Sequence, residues 1–97
     1  MFDIADGHHE IVRIDLGARI DEYYFPKNMK GVVLVNNSAS SVIFNLAAYK
    51  PSTRGNTVVV QSLNIVVGNG NRFYLPLKLY SVNGPIGTAG TEVWELH

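Results

Sequence analysis

From Glu10 to His97, apolar and polar residues alternate in short runs, broken by glycine, proline, asparagine and serine. Side chains that alternate this way stand on opposite faces of a strand, one toward a core and one toward water. The longest run is Phe73–Val82: Phe73, Leu75, Leu77 and Leu79 share a face, and Tyr74, Pro76, Lys78 and Tyr80 share the other. Glu10–Leu16 repeats the pattern, with Val12, Ile14 and Leu16 on one side, Arg13 and Asp15 on the other, and Gly17 as its end. Val32–Val35 and Ser41–Tyr49 follow, the second with Val42, Phe44 and Leu46 opposite Ile43, Asn45 and Ala47. Thr57–Val67 changes phase: Val58 and Val60 share one parity, and Leu63, Ile65 and Val67 the other. A β-bulge or corner at Gln61-Ser62 would keep all of them on the core side. Thr91–His97 reads as a last short strand. Ala18–Phe25 is ambiguous, because Ile20, Tyr23 and Tyr24 have helical spacing, yet consecutive aromatics before Pro26 favour an extended run.

Between the runs lie turn signals. Small polar residues at Asn36–Ser40 hydrogen-bond their own backbone and predict a hairpin loop. Gly68–Arg72, with its Asn69-Gly70 step, predicts a second hairpin closing onto Phe73. Lys50–Asn56 and the glycine-rich Asn83–Gly90 are further connections. Turns recurring every eight to twelve residues or so predict an all-β fold. The expectation is an antiparallel β-sandwich of Greek-key or jelly-roll type, with roughly six to eight strands. Residues 1–97 form a single domain on this reading, with 1–9 an extended N-terminal arm carrying Phe2 and Ile4.

Composition narrows the function classes. Ninety-seven residues suffice for one core and no second. Charged residues make up 16%, against about 25% in an ordinary soluble domain, so the surface is short of charge. Eight basic and eight acidic side chains cancel. The chain has no basic stripe to neutralise phosphates, so nucleic acid is not an expected partner. A membrane span needs about twenty apolar residues in a row, far more than any run here, so no membrane is expected. Acids and histidines stand where a signal peptide would carry lysines and an apolar core, making a cytoplasmic origin the default. With no cysteine, the fold holds without disulfides.

No catalytic constellation emerges, and an enzyme is not expected. Adjacent His8 and His9, near Asp3, Asp6 and Glu10, lack the spacing that lets zinc ligands converge, and read as a solvated, pH-sensitive arm. Serines sit in turns, away from any histidine–acid pair that would activate them. Gly68-Asn69-Gly70 and Gly84–Gly87 lack the following helix that makes a phosphate cradle. Neither a metal nor a cofactor is expected.

The aromatics carry more. Tyr23, Tyr24 and Phe25 are consecutive, so at least one leaves the core side; Tyr74 and Tyr80 lie on the polar face of their run, and Trp94 shares a face with Leu96. Such rings form a second covered layer within one chain, a sugar platform, or a protein interface, and the last is favoured because no amide or acid can be placed beside a ring. Val32–Val35, Val58–Val60 and Ile65–Val67 are apolar on both faces, which suits strands covered on both sides. Neighbouring copies would supply that cover. Pro76 and Lys78 resemble protection of a sheet edge, and so point to a closed assembly. The expected interface residues are Phe2, Ile4, Tyr24, Phe25, Tyr74 and Tyr80.

Gly31–Ser38, then Asn56–Val60, then Leu75-Pro76-Leu77-Lys78-Leu79-Tyr80-Ser81-Val82, then Gly87–Thr91 and a short last strand form an order of motifs. That order, over residues 31–97, resembles the small virion proteins of tailed bacteriophages of the decoration, or cement, type. The resemblance implies a symmetric homo-oligomer, commonly a trimer. It implies the major capsid protein as partner, a place on the outer capsid surface after synthesis in the host cytoplasm, and no enzymatic activity. A fibre-tip or lectin-like domain binding a host receptor or glycan is the alternative reading.

Overall fold

The computed structural model describes residues 10–49 and 60–97. Eight strands cover most of them: β1 (Ile11–Asp15), β2 (Tyr23–Tyr24), β3 (Gly31–Asn36), β4 (Val42–Tyr49), β5 (Val60–Val67), β6 (Arg72–Leu75), β7 (Leu79–Gly84) and β8 (Thr91–Leu96). The helical content among the described residues is a single 3-10 turn, Leu16–Ala18, opened by the Asp15 carboxylate accepting from the Gly17 amide at 2.9 Å. Ala18–Phe25 is otherwise extended or irregular, apart from the two-residue β2.

The strands form two four-stranded sheets, in the orders β1-β8-β3-β6 and β2-β7-β4-β5. Four of the antiparallel ladders are β1 with β8, β2 with β7, β3 with β6, and β4 with β5. This nested set results when a chain doubles back at the β4–β5 tip and the resulting ribbon rolls up, dropping successive pairs into opposite sheets. It is the jelly-roll form of the all-β sandwich. Ile14, Val32, Leu34 and Val93 from the first sheet meet Phe44, Leu46, Ala48, Leu79 and Val82 from the second, with Leu16, Phe25 and Met29 closing the sides. Each large apolar side chain so buried contributes roughly 1.5–3 kcal/mol.

Rolling explains three departures from the sequence pattern. Phe73–Val82 is not one strand: β6 belongs to the first sheet and β7 to the second, and Pro76–Lys78 carry the chain across. Alternation survives the crossing only in part, and Leu77 is 39% exposed. Nor are Asn36–Ser40 and Gly68–Arg72 hairpin loops, since each also links opposite sheets. Asn36 fixes both crossings. Its fully buried amide donates to the carbonyls of Ser40 and Val67, each at 2.9 Å, and its oxygen accepts from the Ser38 amide and hydroxyl. Finally, β5 has no bulge at Gln61-Ser62. Its ladder with β4 runs unbroken from Val42↔Val67 to Tyr49↔Val60, so Val60 faces outward and is 43% exposed. The irregularities fall on β7 instead, where Tyr80 and Asn83 are extra residues opposite β4.

Candidate functional site

The bulges on β7 build the feature that dominates the outer face of the second sheet. At a bulge two residues oppose one, which re-aims side chains. Here it sets Tyr80 beside Tyr24 of β2 and Tyr49 of β4, edge to face at ring-centroid distances of 5.5 and 5.9 Å. Tyr24 is 55% exposed and Tyr80 37%. At one end of this three-tyrosine ladder, an open groove of about 590 Å³ is lined by Lys27, Tyr49, Leu77, Lys78 and Tyr80. The Lys78 ammonium lies 5.9 Å from the Tyr49 ring centre. At the other end, a groove of about 690 Å³ is lined by Ile20, Asp21, Glu22, Tyr24, Asn83 and Ile86. The Tyr24 hydroxyl donates to Glu22 at 2.5 Å, and that bond to a carboxylate holds the phenol above its ordinary pKa. One end of the ladder is therefore basic and the other acidic.

Beneath it, Tyr23 points the opposite way from Tyr24 and anchors the short β2. Its hydroxyl donates to Glu95 Oε2 at 2.5 Å, and Glu95 Oε1 lies 2.7 Å from His97 Nε2. Glu95 is 2% exposed on β8 of the first sheet, so the bond ties the two sheets together. Burial, then the hydrogen bond and the negative charge of Glu95, push the Tyr23 phenol up to about 12, while the Arg19 guanidinium over its ring opposes the rise. Among the described residues, no serine or threonine hydroxyl is hydrogen-bonded to His97, and no group of three or more acidic or imidazole side chains could hold a metal.

On the opposite face of the molecule the centre of the first sheet is covered, though Ile11 of β1 is 38% exposed. Arg13, Trp94, Val33 and Tyr74 lie in one cross-strand row over the first sheet. The guanidinium groups of Arg13 and Arg72 stand 4.5 and 4.6 Å from the Trp94 ring centre, and the indole N–H donates to Glu92 at 2.8 Å. Val33, Val35 and Leu96 pack with Trp94 and Tyr74 and have no exposure. The two-faced apolar run at Val32–Val35 is thus covered within one chain. Val60 and Val66, at 43% and 66% exposure, are not.

Of the expected interface residues, Tyr24 and Tyr80 come together on one exposed face. Tyr74 lies half-buried on the other sheet, and Phe25 is core, 6% exposed and edge-on to Tyr23 at 5.4 Å. Phe25 is therefore not part of that exposed face: alternation turns Tyr23 and Phe25 inward and Tyr24 outward. Phe2, Ile4 and the His8-His9 cluster lie outside the described residues, as do the Lys50–Asn56 loop and Thr57–Val59. Sequence reasoning missed Tyr49, Lys27 and Leu77, which meet only because β4, the β2–β3 connection and the β6–β7 crossing end at the same corner. Among the described residues, no helix is long and apolar enough to cross a membrane. The chain matches no family model, no curated protein and no solved structure.

Proposed function

We propose that the protein is a structural virion protein of the decoration type, which binds the outer surface of a tailed-phage head as a homo-oligomer and strengthens the shell. The observation that carries a protein-binding role is the exposed ladder of Tyr24, Tyr80 and Tyr49 with Leu77 and two lysines at its end. Aromatic rings with one apolar body and one polar tip are enriched where proteins meet. The capsid as partner, and three as the number of copies, come from the resemblance of residues 31–97 to decoration proteins. Zero net charge means that attachment rests on shape and apolar burial, so moderate salt does not strip the protein off. A symmetric assembly presents the ladder several times, and avidity then exceeds single-site affinity by roughly a hundredfold or more.

A jelly roll hosts capsid and lectin domains alike, so the fold does not choose between them. One observation favours the lectin-like reading as the second choice: Tyr24 lines a groove with Asp21, Glu22 and Asn83, a ring beside acids and an amide, the set a sugar site uses. The two readings separate by binding. Purified protein should attach to expanded, empty phage capsids and raise their heat resistance, and Tyr80→Ala should weaken attachment at least tenfold with the fold retained. Failure to attach, with a hit on a glycan array abolished by Asn83→Ala, would replace the capsid reading with the lectin-like one.

A further inference from the structure

The charges on the outer face of the first sheet are set against their own repulsion. Arg13 and Arg72 stand on β1 and β6, the two edge strands of that sheet, and both are exposed. Each could extend past its edge into water. Both lean inward over Trp94 of β8 instead, at 4.5 and 4.6 Å from its ring centre. Their separation is thus at most comparable with the screening length of physiological salt, about 8 Å, so the two like charges feel each other. The acids of this face are engaged elsewhere: Glu92 accepts from the Trp94 indole N–H at 2.8 Å, and Asp15 from the Gly17 amide at 2.9 Å. Among the described residues, no carboxylate forms an ion pair with either guanidinium. A guanidinium over a ring uses its flat face for that contact, and its N–H donors, which lie in its own plane, stay free. Two such forks therefore converge on one ring with donors to spare.

We propose that this face is a second protein-binding surface, which takes an acidic segment of a partner protein through a carboxylate that bridges Arg13 and Arg72. The inference goes beyond the proposed function and stands apart from it, because the surface lies on the sheet opposite the tyrosine ladder. A carboxylate has two oxygens and accepts from both forks at once, the pairing a guanidinium is shaped for. Its charge also relieves the repulsion that the ring contact alone leaves. The surroundings select a protein among the carriers of negative charge. Arginine, tryptophan and tyrosine are the residues on which protein contacts most depend, and Arg13, Trp94 and Tyr74 share one cross-strand row. Ile11, 38% exposed and two residues before Arg13 on the same strand face, offers apolar contact to the residue beside the bound carboxylate. A small ligand needs a cleft to enclose it, and both grooves described above border the second sheet. A nucleic acid needs a run of basic groups along its backbone, and Asp15 and Glu92 in the next row interrupt one here.

Trp94 is the chain's one tryptophan and lies under both guanidinium groups, so its fluorescence reports on the site. The full chain at low salt should bind a blocked hexapeptide of alternating glutamate and leucine, with a saturable change in that emission. The same peptide with glutamine for glutamate should bind at least tenfold more weakly. Arg13→Gln and Arg72→Gln should each weaken binding of the glutamate peptide at least fivefold, with an unchanged circular dichroism spectrum. Arg13→Lys keeps the charge without the fork, and its affinity should fall between those of Arg13→Gln and the parent. Equal binding of the two peptides, or arginine variants that bind like the parent, overturns the bridged carboxylate. Tighter binding of inorganic phosphate or of an oligothymidylate than of the glutamate peptide makes this a phosphate site and overturns the acidic protein partner. No saturable change with any of these probes overturns the surface altogether.

Discussion

Replacing Tyr23 by Phe removes one oxygen and tests whether the sandwich is tied together from inside. The phenyl ring keeps its edge contact with Phe25, 5.4 Å between centres, and stays under the Arg19 guanidinium. What disappears is the donor at 2.5 Å from Glu95 Oε2, which leaves a carboxylate of 2% exposure with His97 as its remaining side-chain partner. A hydrogen bond to a charged group contributes roughly 1.5–3 kcal/mol, and the desolvated acceptor left behind puts the cost toward the upper end. At about 4–8 °C per kcal/mol for a domain of this size, Tm should fall by roughly 6–24 °C. Urea unfolding followed by Trp94 fluorescence measures the loss directly. Tyr24→Phe is the internal control: it deletes a bond of the same length, to Glu22, but on the surface, and should leave the unfolding midpoint close to the parent's. A double-mutant cycle with Glu95→Gln isolates the coupling between the two side chains. If Tyr23→Phe costs as little as Tyr24→Phe, the inter-sheet tie is not holding β2 and the reasoning fails.

Three further outcomes follow from the same fold. A phenol held at about 12 when folded and near 10 when unfolded favours the protonated protein, so its stabilising effect is complete below pH 10 and lost as pH rises through 12; Tyr23→Phe should flatten that alkaline decline in unfolding experiments, with the phenolate absorbance near 295 nm marking the titration. Asn36→Asp replaces two buried donors to the Ser40 and Val67 carbonyls by an acceptor, and should cost about 3 kcal/mol or more in chemical denaturation. Gly70→Ala and Gly90→Ala both place a side chain at positive φ, but a Cβ at Gly70 meets open space whereas one at Gly90 comes within 2.9 Å of the Asn37 carbonyl. Thermal melts should show the Gly90 variant worse than the Gly70 variant by at least about 1 kcal/mol.

The class of fold was legible because a period of two survives wherever one strand face meets a core. Val12 and Ile14, Phe44 and Leu46, and Val93 all lie where alternation puts them. Alternation does not say which strand is the neighbour. Phe73, Leu75 and Leu79 keep their parity across a change of sheet while Leu77 does not, and only Pro76 hinted at the break. The slip at Gln61-Ser62 was real in the letters and absent in the ladder, because Val60 simply faces outward. Cover of Val33 and Val35 by Trp94 and Tyr74 was invisible for another reason: those rings come from β8 and β6, and β3 meets them only once the ribbon has rolled. Tyr80 was found by its polar-face parity, and Tyr24 because three consecutive aromatics cannot all face the core. Tyr49 was not, since the bulge that brings Tyr80 to it is a property of the β4–β7 pairing and leaves no mark in either segment alone.

The nested ladders also constrain how the chain reaches this state. Ile11 waits for Leu96, and Tyr23 for Val82, so their partners are made last. During synthesis, β4 with β5 is the one ladder here between strands consecutive in the chain. Contacts this distant in sequence make folding slow, and the waiting chain exposes strands without partners. The early hairpin presents on one side the uncharged β5 edge before the rest of the sandwich exists to orient it. Yield of native protein should therefore depend on concentration during refolding more steeply than the stability of the finished domain suggests. A ribosome-bound chain that still lacks β8 has no central strand to join β1 to β3. The first sheet is complete only once β8 has been made.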